Sequence, residues 1–162
     1  MGSEAPARRI VVGLDGSEAA AAALRWAIAL ARSTGAEVVA VHAFQASHVA
    51  RRATGLPMVP DLEAWATAEH RRFEQTWCAP LEESGVPHRT MFRAGHADVV
   101  LLEVADEVGA DVVVTGRRGL SSLVELLAGS VSQHVLHRAR CPVVVVPAAR
   151  PAGEAAGAMA SA

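Results

Sequence analysis

The stretch TGRRGLSSLVELLAGSVS, Thr115 to Ser132, places glycines at 116, 119 and 129 with a serine directly after the last, the pattern G-x-x-G-x9-G-S. Glycine adopts dihedrals closed to other residues and lets main-chain amides approach an anion closely. Ser130 and Ser132 add hydroxyl donors at the start of VSQHVLHRA, a helical run whose first amides have no partner within the helix. Unpaired N–H groups and the positive end of a helix dipole suit the oxygens of a di- or triphosphate. At least one of Arg117 and Arg118 is read as a phosphate contact, with a solvated loop pair as the alternative. Two tight turns without a ligand are the alternative for the glycines. A second candidate is Asp15 in VVGLDGS, whose carboxylate either meets a ligand or caps the following helix.

Other chemistries lack their residues. There is no G-K-S/T for a Walker loop, and Gly13-Leu14-Asp15-Gly16 lacks the third glycine of a dinucleotide fingerprint. The seven histidines include no H-E-x-x-H pair, and Cys78 and Cys141 form no C-x-x-C, so no protein metal site is expected and both thiols are read as structural. No serine stands in a G-x-S-x-G elbow, and no catalytic residue is assigned.

The elements that position these groups follow from periodicity. RIVVGL, from Arg9, is a β-branched run that stops at a turn and cap, Asp15-Gly16-Ser17. A helix follows from Glu18 to Ser33, ended by Gly35, and EVVAVHAF from Glu37 gives a strand covered on both sides, its end near His42 at the ligand edge. Gln45 to Pro60 reads as a variable loop. From Asp61 a long amphipathic helix runs to Gly85, with Pro80 as the point where it kinks or shortens. HRTMFRA is a more exposed strand, and Gly95-His96-Ala97-Asp98 opens a helix with Asp98 in its first turn. DVVVTG, Asp111 to Gly116, is the clearest central strand. Helical character from Leu123 to Arg138 leads to PVVVVP, Pro142 to Pro147, an edge strand by its flanking prolines. Five strands alternating with four helices specify an α/β fold with a parallel sheet clad by helices and a ligand crevice where strand order reverses. The ends at Asp15 and Gly116 are the natural margins of that crevice.

Composition is consistent with one such domain. The 162 residues are 51% apolar and 4% aromatic, with no tyrosine, so alanine, valine and leucine must fill a core of closely approached layers. Net charge is −2 and all fifteen basic residues are arginine, which gives nucleic acid no basic field and leaves any phosphate to be held without lysine. No apolar run reaches membrane-spanning length, and a cytoplasmic protein is expected. Residues 1–8 and 148–162 are read as flexible ends around a domain at 9–147.

From Arg9 to Pro147 the chain resembles the nucleotide-binding branch of the universal stress protein family. An aspartate ends the first strand in VVGLDGS, the glycine motif is intact, and the last strand is introduced by Cys141-Pro142. The resemblance implies an open, Rossmann-like five-stranded parallel sheet in order 3-2-1-4-5 with helices on both faces, and a homodimer through the last strand near Val143 to Val146. It implies ATP as ligand, with Mg2+ coordinated partly by phosphate oxygens and water and helped by Asp15. Asp15 would meet the ribose or base, Val41 the adenine through its main chain, and Gly13 and Leu14 the adjacent wall. Thr115 and Gly116 would line the ribose side. Arg118, Gly119, Gly129, Ser130, Val131 and Ser132 would surround the phosphates. The function implied is a nucleotide-dependent sensor or signalling module acting through a protein partner. A slow ATPase or a protein autophosphorylating at Ser130, and a nucleotide-independent dimeric interaction module, remain the alternatives.

Overall fold

The computed structural model describes residues 8–45, 61–117 and 130–148. The β-branched runs form β1 (Arg9–Gly13), β2 (Glu37–Phe44), β3 (His88–Ala94), β4 (Val112–Arg117) and β5 (Val143–Pro147). All neighbours pair in parallel, in the order β3-β2-β1-β4-β5 expected from the resemblance. Side chains of β1 alternate between two cores. Ile10 and Val12 face α1 (Glu18–Thr34) with Leu24, Ile28 and Leu81, while Val11 faces α4 (Ala97–Val108) and α5 (Ser130–Arg138) with Val100, Val104 and Val135. Helices therefore cover both faces, as right-handed crossovers running outward from β1 and β4 require. No helix among the described residues is long and apolar enough to cross a membrane.

The expected helix from Asp61 to Gly85 is divided. Asp61 caps α2 (Leu62–Arg72) by accepting from the Glu63 and Ala64 amides, a π-helical turn spans Phe73–Trp77, and α3 (Ala79–Ser84) ends at Gly85 in a left-handed conformation (φ 70°). Pro80, in the first turn of α3, has no N–H for the carbonyl four residues back, and just before it the chain is widened, the Cys78 amide reaching Phe73 O at 3.0 Å. Burial pushes the Cys78 thiol up to about 12, with Glu74 and Glu82 adding to the effect, which leaves it an inert core residue. The remaining expectations hold closely. α1 starts at Glu18 and ends against left-handed Gly35, Asp98 lies in the first turn of α4, and β5 is an outer strand. Of the helix expected from Leu123, the part from Ser130 is described and is helical. Residues 123–129, most of the Gln45 to Pro60 loop and both chain ends lie outside the described residues.

Alanines 19, 20, 22, 23, 27 and 31 form the buried face of α1 and let it lie close to the sheet. The closest approach is at Gly116. A Cβ built there would stand 2.4 Å from the carbonyl carbon of Ala19, 2.5 Å from its oxygen and 2.7 Å from the Ala20 nitrogen. These are backbone atoms, so no rotamer change can relieve the overlap. Gly116→Ala is expected to destabilise the fold by about 1–3 kcal/mol, the usual range for overpacking, measured by urea unfolding at neutral pH.

Candidate functional site

The switch in strand order lies between β1 and β4, and their carboxyl ends carry Leu14-Asp15-Gly16 and Thr115-Gly116. The first of these is a tightly specified turn. Asp15 Oδ1 accepts from the Ser17 amide at 3.0 Å, Gly16 is left-handed at φ 77°, and the Ser17 hydroxyl caps α1 by accepting from the Ala20 amide at 3.2 Å. The capping role considered for Asp15 thus belongs to Ser17, and Asp15 shapes the turn that leads into it. Trp77 closes the turn from the side. A Cβ on Gly16 would lie 2.5 Å from the indole Cζ2 and 2.6 Å from Cε2. A groove of about 140 Å³ continues from here between α1 and the π turn, lined by Leu14, Ser17, Leu24 and Pro80 among others.

The other expected site residues fall into distinct environments. Leu14 and Val41 are buried, and the Leu14 amide donates to Val41 O at 2.8 Å, extending the β1–β2 ladder past Gly13. Gly13 is half-buried beneath Leu101, whose Cδ1 would be 3.0 Å from an added Cβ. Thr115 and Ser132 are both buried. The Thr115 hydroxyl donates to Ser132 Oγ and that hydroxyl donates to the Gly116 carbonyl, each at 3.3 Å, so Ser132 ties the start of α5 to the end of β4. Val131 is half-buried against the second core, and Ser130 opens α5. Arg118, Gly119 and Gly129 lie outside the described residues. The structure therefore brings Gly13, Leu14, Asp15, Thr115 and Gly116 to one edge of the sheet, with α5 entering beside β4.

Sequence patterning missed three contacts at this edge. His42 Nδ1 lies 2.7 Å from the Leu14 carbonyl oxygen, Trp77 covers Gly16, and His134 Nδ1 lies 2.6 Å from Asp98 Oδ2. A signal existed for the first, since histidine interrupts an otherwise apolar strand in VVAVHAF. The Asp98 pair joins the first turn of α4 to α5. Burial works to raise the Asp98 carboxyl, but the hydrogen bond with His134 and those from the amides of Val99 and Asp98 outweigh it and hold the group below its ordinary value. Among the described residues no three or more His, Cys, Asp or Glu side chains are gathered to hold a metal ion. Among the described residues the edge offers backbone donors, a carboxylate and hydroxyls.

Comparisons with known proteins agree with this architecture. The family model described as the universal stress protein family matches residues 6–147. Universal stress protein YxiE of Bacillus subtilis is 31% identical over 144 residues, covering 85% of this chain and 97% of its own. The solved structure of MJ0577, a universal stress protein of Methanocaldococcus jannaschii, superposes with a TM-score of 0.72 at 24% identity, over 89% of this chain and 98% of that one. A universal stress protein crystallised in complex with cAMP superposes with a TM-score of 0.64 at 26% identity, over 89% and 99%.

The depressed Asp98 carboxyl stabilises the fold above the ordinary carboxylate range, and that contribution is lost as pH falls through its lowered value. Asp98→Asn should cost up to about 1 kcal/mol at neutral pH, as expected for a pair with one exposed partner, His134, and the difference from the parent should shrink in acid. Urea unfolding of both chains at neutral pH and below the carboxylate range checks this.

Proposed function

The chain belongs to the universal stress protein family, and from that premise we propose that it binds an adenine nucleotide in the crevice between β1 and β4. The observation that carries the reading is that a tight turn and a strand end, both suited to a ligand, lie side by side at the reversal of strand order. One is the Leu14-Asp15-Gly16 turn, and the other is the Thr115-Gly116 end of β4, from which the glycine-rich segment departs. The relative holding cAMP supports adenine as the base.

ATP with Mg2+ is the proposed ligand. Asp15 accepts from the ribose, Val41 meets adenine through its main chain, and Gly13 and Leu14 form the wall. Thr115 and Gly116 face the ribose. Arg118, Gly119, Gly129, Ser130, Val131 and Ser132 surround the phosphates with mostly backbone donors, and Asp15 would help to hold Mg2+, which would neutralise phosphate charge. In this reading the Ser132 hydroxyl acts first on β4, as its bond to the Gly116 carbonyl indicates, and its segment supplies amides to the phosphate. Nucleotide occupancy changes the glycine segment, and a protein partner reads that change.

Calorimetric titration with ATP and Mg2+, AMP and cAMP, together with extraction and identification of any nucleotide that copurifies, tests the ligand. Binding is expected, and its absence for all three overturns the reading. Asp15→Asn keeps an oxygen for the Ser17 amide while removing the charge, and it should weaken ATP about tenfold or more, as loss of a charged hydrogen bond does.

The dimer is proposed through β5, whose Val143 to Val146 are half-exposed on the outer strand of the sheet. Val145→Lys is then expected to shift the chain from dimer to monomer in light scattering. A parent chain that is already monomeric overturns this arrangement.

A further inference from the structure

We propose that His42 is a positioning residue for the nucleotide site, holding the peptide group that presents Asp15; the inference rests on the adenine-nucleotide reading above. His42 is 6% exposed and sits near the end of β2 among aromatic rings, with Phe73, Trp77 and Phe92 at centroid distances of 5.8, 5.0 and 5.4 Å. An imidazole in such surroundings is costly unless its nitrogens are engaged. Nδ1 is engaged by the Leu14 carbonyl at 2.7 Å. A carbonyl can only accept, so Nδ1 carries a proton and donates it to the main chain of the neighbouring strand. Nε2 has no hydrogen-bond partner among the described residues and faces Glu69 Oε1 of α2 at 3.5 Å.

What this bond holds is specific. The Leu14 amide is fixed by Val41 O, and the Leu14 carbonyl by His42, so both polar groups of the residue are held by β2. The Leu14 carbonyl and the Asp15 amide belong to one planar unit. Fixing the carbonyl therefore fixes the plane from which Asp15 starts, at the point where β1 leaves the sheet. Trp77 supports the next residue by packing on Gly16, and the same indole touches the His42 ring edge-on. His42 thus reaches the site without touching the ligand, by restricting the orientation of a residue that does.

Two substitutions separate positioning from packing. His42→Leu fills the apolar site but has no donor. His42→Asn keeps an N–H near the place of Nδ1–H but loses most of the ring. Calorimetry with ATP is expected to find the asparagine variant within about threefold of the parent and the leucine variant weakened by about tenfold or more, as loss of one buried hydrogen bond allows. Thermal stability is expected in the opposite order, with the asparagine variant the less stable. Affinity that follows thermal stability, a leucine variant that binds like the parent, or an asparagine variant weakened as much as leucine overturns the assignment while leaving the nucleotide reading intact. A parent chain that does not bind ATP overturns both. Should the leucine variant not fold, the asparagine affinity alone decides.

Discussion

Everything at the carboxyl edge of this sheet depends on how closely the first turn of α1 can lie against the end of β4. At Gly116 the two backbones meet with no room for a methyl group, the carbonyl of Ala19 filling the place where a side chain would start. The contact draws the start of α1, with the Ser17 cap and the Asp15 turn before it, over the switch between β1 and β4. The small-residue composition serves this geometry, because the buried face of α1 is alanine along much of its length. Gly13 plays the corresponding part on the opposite face, where Leu101 of α4 occupies the space above it.

Two polar ties then lock the edge from either side. On the α1 face His42 reaches the Leu14 carbonyl, and on the α5 face Ser132, which accepts from Thr115, donates to the Gly116 carbonyl. Both ties end on a main-chain oxygen at the last residues of a central strand. Leu14 follows the last residue of β1, and Gly116 lies past the last β1–β4 pair, Val12 with Val114, so these oxygens take partners from side chains. His42 and Thr115, the polar residues that interrupt the apolar strands, thus stand just past the last pairs that their strands make with β1, where they act on the Asp15 turn and on the start of α5.

Much of this was legible from residue types. Alternating apolar runs and helix periods, Gly35 and Gly85 as helix stops, and the prolines around β5 gave the order and ends of the elements, because each rests on local chemistry. The break at Phe73–Trp77 was only half legible. Pro80 announced a disturbance, but not its form, a π turn that sets Phe73 and Trp77 beside His42. Gly116 was legible as a position that needs glycine, and the sequence reading supplied phosphate approach as the reason. The structure adds a second reason, the backbone of α1, which no linear pattern contains. Ser132 shows the same limit: its hydroxyl reads as a donor in sequence, and which acceptor it meets first is decided by the seating of α5 on β4.

Trp77 carries a consequence of another kind. Its indole lies over Gly16, one residue from Asp15, and against the ring of His42. In a chain with three tryptophans and no tyrosine, ultraviolet emission arises from few sources. One of them is built into the wall of the turn that the site depends on, so the molecule carries its own optical gauge of that turn, with no dye and no added label.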